Sequence, residues 1–547
     1  MSTSASTQQS HVPPGSVKET LSSVIIAFVM AFTFRAFVVE AFVIPTGSMA
    51  PTLLGAHMDF TSPKSGFDWS VGPWRATPAN SQNYNRVQTS VTVSDPMTGE
   101  KYSHSKLPLA SGDRILVLKY LYSIHDPKRY DVIVFKSPVT PQTNFIKRLT
   151  GLPGEQIAIV DGDIFRRNGS GPPGEGSADW SDQDWQLARK SERKQRSAWQ
   201  PLYDSAYTPA AGERPFIPPW TPATQNWEVR GRRVYTFTGT EQTTLAWDDQ
   251  RWPISDRYSY NEIANALVDG PTLKPDPIGL TRLPISAGTE VFPVSDLRMR
   301  CGIEPGQAGL DVVAVLQARN HEFRAVIQGR QVTLKMRHLP RIRGEEPAWE
   351  ILDTGTLSQP LVPGRVTNIE FWHCDQSVSL FVDSKKVAYG EYDWTPSQRI
   401  WYALGLDLNS DEIDTLRAIN DPRQYRRPSV RWEFQGSPFK LYRVGLDRDI
   451  HYQAGGAGRR TLRATHPSKT LTLSPDQFFV CGDNSPASSD GRMWNVPDPW
   501  VAQRIDPTPG IVPRDLVIGK AFFVYFPSLV KDRAIPIPDF GRMRFIW

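Results

Sequence analysis

"NFIKRLTGLPGEQIAIVDGDIFRRNG", residues 144–169, decides the fold class of this chain. Short apolar and β-branched blocks are separated by Gly151–Gly154 and by Asp161-Gly162, residues that make tight turns, so the stretch reads as consecutive strands. Outward from it, "GDRILVLKYLY" (112–122) and "YDVIVFKSP" (130–138) are written the same way. So are "QFFVCGDNSPASSDGRMW" (477–494) and "LVIGKAFFVYFPS" (516–528), more than 300 residues further on. Between them, from about 167 to 474, the texture changes to Trp-, Pro- and Gln-rich writing and then to short alternating strands with a turn every ten or so residues. That second pattern predicts a β-sandwich at about 280–450. The expectation is a mainly β protein in which one β-sheet domain, 41–166 plus 475–547, is interrupted by a large insertion, 167–474. The insertion is expected to be a separate folding unit with its own core. Residues 57–111 read as an extra segment within the first half.

Composition narrows the function classes. In 547 residues, 62 Lys and Arg against 57 Asp and Glu leave a net charge of +5, too mild and too evenly spread to argue for a nucleic-acid partner. Cys301, Cys374 and Cys481 lie far apart without CxxC spacing, which argues against a metal site; whether Cys301 and Cys374 are bridged is open. "SPKSG" (62–66) and "DPMTG" (95–99) either have the shape of paired zinc-ribbon knuckles with every cysteine replaced or are two unrelated Pro/Gly turns. Without thiolates they do not hold zinc in the usual way.

After a tail at 1–17, residues 18–40 contain an apolar run from Leu21 to Val39 interrupted by Thr, Ser and Arg35. As a helix, 19 residues rise about 28 Å, close to the thickness of a bilayer core. A single-pass anchor is the expectation, with a cleaved leader as the competing reading. Charge does not orient it, because Lys18 and Arg35 oppose one another.

Just behind that run stands "VIPTGSMAPTL" (43–53), with Ser48 between a glycine and a methionine. Pro, Thr, Gly and Ser also make ordinary turns, so Ser48 is either a turn residue or a nucleophile. A nucleophilic serine needs a base. His57 is nine residues on, and no histidine has a companion Asp in an obvious role, whereas a neutral lysine is a recognised substitute. Neutrality near pH 7 demands a pKa lowered by roughly three units, which apolar burial or a neighbouring cation supplies. Lys147 fits: in an alternating strand it shares a face with Phe145, and Arg148 points to the other.

"PTGSMAPTL", "GDRILVLK", "YDVIVFK", "IKRLTGLPGE" and "GDNSPASSDGRMW" follow one another in an order that resembles the boxes of bacterial type I signal peptidases, membrane-bound Ser-Lys proteases. The resemblance covers residues 15–60, 111–166 and 475–526. It implies a serine endopeptidase without cofactor or metal that removes signal peptides from exported preproteins at the outer face of the plasma membrane. Ser48 corresponds to the nucleophile and Lys147 to its general base. Thr46 stands where the family has a hydroxyl that joins the Ser48 N–H in the oxyanion hole. Ser488 matches a serine that bonds the lysine amine, and Asp483, Asn484, Asp490 and Arg492 match the final box, whose Asp and Arg form a supporting salt bridge. Tyr130 replaces a glycine of the family's turn, and Pro486 enters the last box. Within the insertion, "NIEFWHCDQSVSLFVDSKKV" (368–387) resembles the inner strands of concanavalin-like jelly rolls. That implies a possible glycan or envelope-protein partner, or a spacer. The rival functions are a specialised peptidase that matures one partner such as a pilin, and a catalytically silent envelope scaffold.

Overall fold

The computed structural model describes residues 17–72, 91–104, 110–169, 174–176, 182–209, 216–230, 233–261, 291–340, 344–405, 418–456, 460–527, 529–530, 537–538 and 540–547. The sheet that carries the Ser48 region is built from both ends of the chain. Its strands are β1 (Val39–Val43), β2 (Arg114–Leu118), β3 (Val132–Lys136), β4 (Asn144–Gly151), β5 (Gln477–Cys481), β6 (Val512–Pro513) and β7 (Val517–Phe526). They lie in the order β1-β2-β7-β3-β4-β5-β6, antiparallel throughout, so the strand written near the C-terminal end lies between β2 and β3. Ile133 pairs with Lys147 and Val132 with Arg148 across β3 and β4, and Cys481 of β5 sits opposite Arg148. Ile44, Met49, Leu53, Ile115, Val117, Val132 and Val134 bury their side chains in one cluster over this sheet.

A second sheet joins Glu155–Val160 and Asp163–Asn168 to short strands at 174–176, 186–187 and 470–472. The sandwich consists of two further antiparallel sheets. One is centred on Leu297–Pro305, Thr367–Cys374 and Phe439–Arg448, the other on Asp311–Ala318, His321–Gln328 and Ser429–Gln435. Both also take in strands between residues 200 and 247, so the sandwich draws on more of the insertion than 280–450. Its core packs Trp220, Trp432, Phe323 and Phe371 at close to zero exposure. Strands from 200 to 247 escape the sequence reading because they are short and separated by Pro- and Trp-rich turns, and only pairing with distant strands reveals their register.

The insertion also grips the hairpin at 155–168. Arg399 is fully buried and donates to Asp161 at 2.9 Å and Asp163 at 2.6 Å, while Arg319 donates to Asp161 at 2.6 Å and Asp296 at 2.7 Å. Buried charges persist only when paired, so this cluster ties the sandwich to the hairpin that β4 leads into. Cys301, Cys374 and Cys481 are buried free thiols.

In the extra segment, hairpins 58–61/68–71 and 91–94/101–104 end in turns whose Gly66 and Gly99 have φ of 74° and 71°. Ser65 Oγ donates to Asp95 Oδ2 at 3.0 Å and the Ser65 N–H donates to Ser62 Oγ at 3.2 Å. The knuckle positions thus meet through hydrogen bonds.

At the N-terminal end, helix α1 covers Val17–Phe37, and β1 begins at Val39, where the sequence predicted the apolar helix to continue to residue 40. Strand pairing accounts for the difference, because Val39 is opposite Leu118 and Glu40 reaches Lys119 at 3.2 Å. Ile25, Ile26, Phe28, Val29, Met30 and Phe32 of α1 are exposed. Among the described residues no helix is long and apolar enough to cross a membrane.

Candidate functional site

Ser48 sits in a single 3-10 turn, Gly47–Met49, that follows β1. The turn has little internal support, since Ala50 N–H to the Gly47 carbonyl, 3.0 Å, is the bond that closes it. Met49 holds it from below, fully buried in the apolar cluster of the sheet. Lys147 comes from the middle of β4 on the face it shares with Phe145, whose ring lies 5.2 Å from Nζ. The amine donates to Ser48 Oγ at 2.7 Å and to the Ile146 carbonyl at 3.1 Å. Two residues 99 apart in sequence are thereby within hydrogen-bond reach.

Lys147 is 4% exposed, and loss of hydration on burial brings its pKa down to about 8. The Asp490 and Asp483 carboxylates work against that shift and Arg492 adds to it. Burial is the larger effect because none of these charges contacts the amine directly.

The residues of the final box surround this pair. Asp490 and Arg492 form a buried double contact at 2.9 and 2.8 Å, and Asp490 also accepts the Gly482 N–H at 2.8 Å. Arg492 holds the Asp490 carboxyl below its ordinary range. Asp483 pairs instead with Arg148, the residue next to Lys147, through two bonds of 2.7 and 2.6 Å. Arg148 had no role in the sequence reading; alternation placed it on the opposite face from Lys147, and the partner there comes from more than 300 residues away. Asn484 donates its side-chain amide to the Gly47 carbonyl at 2.9 Å and its N–H to the Ser48 carbonyl at 3.1 Å.

One expectation changes. Ser488 is not among the described hydrogen-bond partners of the Lys147 amine: its buried hydroxyl stands near Asp490, where it favours the charged carboxylate. Lys147 directs its donors to Ser48 and Ile146 instead, and Pro486 lies in a 3-10 turn, Ser485–Ala487, immediately before Ser488. Gly482 lies where the box passes close to the Ser48 turn. A Cβ there would stand 2.2 Å from Ser488 Oγ and 2.4 Å from the Ser48 carbonyl, so only glycine fits. Thr46, at the entrance to the turn, is half-buried in extended conformation and its side chain does not cap the turn.

His57, the nearest histidine in sequence to Ser48, bonds the Gly55 carbonyl at 2.6 Å and faces Asp59 at 3.2 Å. Tyr130 adopts φ 66°, the left-handed conformation that glycine accepts without strain, and its hydroxyl donates to the Ala188 carbonyl.

The model of the family described as signal peptidase, peptidase S26, matches residues 88–205 and 430–526, which include Lys147 and the 483–492 box but begin after Ser48. Signal peptidase I of Rickettsia bellii (strain OSU 85-389) is 29% identical over 145 residues, 26% of this chain and 37% of that protein. Signal peptidase I of Rickettsia typhi is 26% identical over 149 residues, 27% of this chain and 43% of that protein. The chain thus spans about two fifths of the length of these curated relatives. Among solved structures, the carbohydrate-binding module CBM66 from Bacillus subtilis aligns with 42% of this chain and 95% of its own length, at 8% identity and a TM-score of 0.21. Two segments of this chain, 88–205 and 430–526, are thus similar to signal peptidases of family S26, and most strands of the β-sandwich lie between them.

Proposed function

We propose that the protein is a serine endopeptidase that removes signal peptides from exported preproteins by a Ser48–Lys147 dyad. The observation that carries this reading is the 2.7 Å contact between Ser48 Oγ and a buried lysine amine whose pKa is about 8. In the neutral form Lys147 accepts the Ser48 proton as Oγ attacks the scissile carbonyl. The same amine then returns the proton to the departing peptide nitrogen, leaving an acyl-enzyme for water to hydrolyse. The oxyanion of each tetrahedral intermediate is stabilised by the Ser48 N–H and the Thr46 hydroxyl. Asp490 with Arg492 and Asp483 with Arg148 are supporting pairs. Small side chains before the scissile bond are the expected preference, as for the relatives' substrates. The exposed apolar side chains of α1 support an anchor in lipid, with the catalytic sheet at the extracytoplasmic surface of the plasma membrane. The test is cleavage of a preprotein by membranes carrying the full chain, with Ser48→Ala as control.

Three further outcomes follow from the geometry. Activity should rise with pH through an apparent pKa near 8 as the Lys147 ammonium is lost, and it should not depend on His57. Because the folded pKa lies below the unfolded value of about 10.4, the folded state binds fewer protons between those limits, and stability should rise with pH across that window. A rate profile set by a group near pH 6–7 that vanishes on mutating His57 would exclude the dyad. Thr46→Val keeps the shape but removes the hydroxyl, and should lower kcat by about a hundredfold or more, whereas Thr46→Ser should change little. Equal rates for the two variants would remove Thr46 from the oxyanion hole.

A further inference from the structure

The inserted segment reaches the Ser48 turn through four consecutive residues, Tyr258–Asn261. The Tyr260 ring fills the space left where Gly47 and Gly72 lack side chains: a Cβ would stand 1.9 Å from Tyr260 Cε1 at Gly47 and 2.6 Å from it at Gly72. The Tyr260 hydroxyl donates to the Ala56 carbonyl at 2.8 Å, and its own carbonyl accepts the Gly72 N–H at 2.7 Å. Asn261 and Asn484 exchange side-chain hydrogen bonds, Nδ2 of each to Oδ1 of the other, at 2.7 and 2.8 Å. The Gly47 carbonyl, which accepts from Asn484 Nδ2, fixes which side of the Asn484 amide is NH2, and the reciprocal pair places Asn261 to match it. At the other end, Tyr258 donates to the Asp483 carbonyl at 2.5 Å, and the Arg448 guanidinium lies 4.3 Å from its ring centre. Arg448 ends a central strand of the sandwich and donates to the Arg257 carbonyl at 3.0 Å.

We infer that Tyr258–Asn261 is a positioning strap by which the insertion holds the nucleophile turn in register with Lys147. Asn261 acts through Asn484 on the Gly47 and Ser48 carbonyls, and Tyr260 acts through its contact with Gly47. The strap rests on the Ser-Lys reading above. It makes the insertion a working part of the site, where the sequence suggested a detachable module. A turn closed by one internal hydrogen bond does not hold its own geometry, and a displacement of about 1 Å at a reacting atom costs about a hundredfold in rate.

The experiment is a double-mutant cycle in the whole 547-residue chain, using Asn261→Ala, Asn484→Ala and the pair, with kcat, KM and the pH profile measured on a preprotein. Asn261→Ala should lower kcat about tenfold or more with KM within about twofold, and keep the apparent pKa near 8, because Lys147 stays buried. Unfolding around the site would instead move that pKa back toward the free value. The pair should be no slower than Asn484→Ala alone, since both act through one contact. Losses that multiply in the pair, or an Asn261→Ala enzyme with unchanged kcat, overturn the strap while leaving the dyad intact, provided that Ser48→Ala is inactive. A Ser48→Ala chain that still cleaves overturns the dyad, and the strap with it.

Discussion

Ser48→Ala and Lys147→Ala should each reduce preprotein cleavage by about 10⁴-fold or more while the chain still folds and reaches the membrane. In the proposed mechanism the two side chains act as one proton-transfer unit, so removing both should cost little more than removing either. Ser48 is replaced within a turn held by Met49 and Asn484, and alanine fits there without disturbing either contact. Lys147→Arg is the sharper variant. A guanidinium keeps its charge at any working pH and accepts no proton, so it should be as inactive as alanine. Its bulk also has to fit beside Phe145, so its thermal stability should fall as well. Single-turnover cleavage of a preprotein, followed by gel, separates loss of chemistry from loss of binding. Near-normal cleavage by the Arg variant would remove Lys147 from the role of base.

Arg148→Ala should lower stability by about 3–5 kcal/mol, the usual cost of leaving one partner of a buried ion pair alone. Asp483 is fully buried, and its two carboxylate bonds go to Arg148. The guanidinium also donates to the Tyr130 carbonyl at 3.0 Å and to the Trp547 backbone oxygen at 2.9 Å, so its removal frees acceptors on two other segments. Replacing both partners by apolar residues of similar volume, Arg148→Met with Asp483→Leu, should recover much of the loss, because no charge then stays buried unpaired. Thermal or denaturant unfolding of the two variants checks this. A single variant as stable as the parent would show that the pair contributes nothing to holding β4 against the 483–492 box.

Lys147 was legible because its segment is local. Strand alternation alone puts Phe145 and Lys147 on one face and Arg148 on the other, and the structure keeps both orientations. The mainly β character was legible for the same reason: turn residues and period-2 alternation act within a few residues of one another. The Ser48 turn was readable as a turn, and its proximity to the lysine came only with the resemblance to a known family.

What stayed hidden depended on contacts between distant segments. Alternation could not name Asp483 as the partner of Arg148, nor show that Ser488 leaves Lys147 to Ser48 and the Ile146 carbonyl. The strands between 200 and 247 are too short to declare themselves, and pairing with 429–448 draws them into the sandwich. Tyr260 is an unremarkable residue in sequence; it matters because two glycines far from it leave a space of its shape. The chain by itself therefore determined the strands, the turns and the face on which each candidate side chain stands, since those follow from backbone sterics and local hydrogen bonding. Tertiary structure alone decided which faces meet, which charges are paired and how deeply Lys147 is buried. Those depend on excluding water between segments hundreds of residues apart, and no local pattern encodes that exclusion.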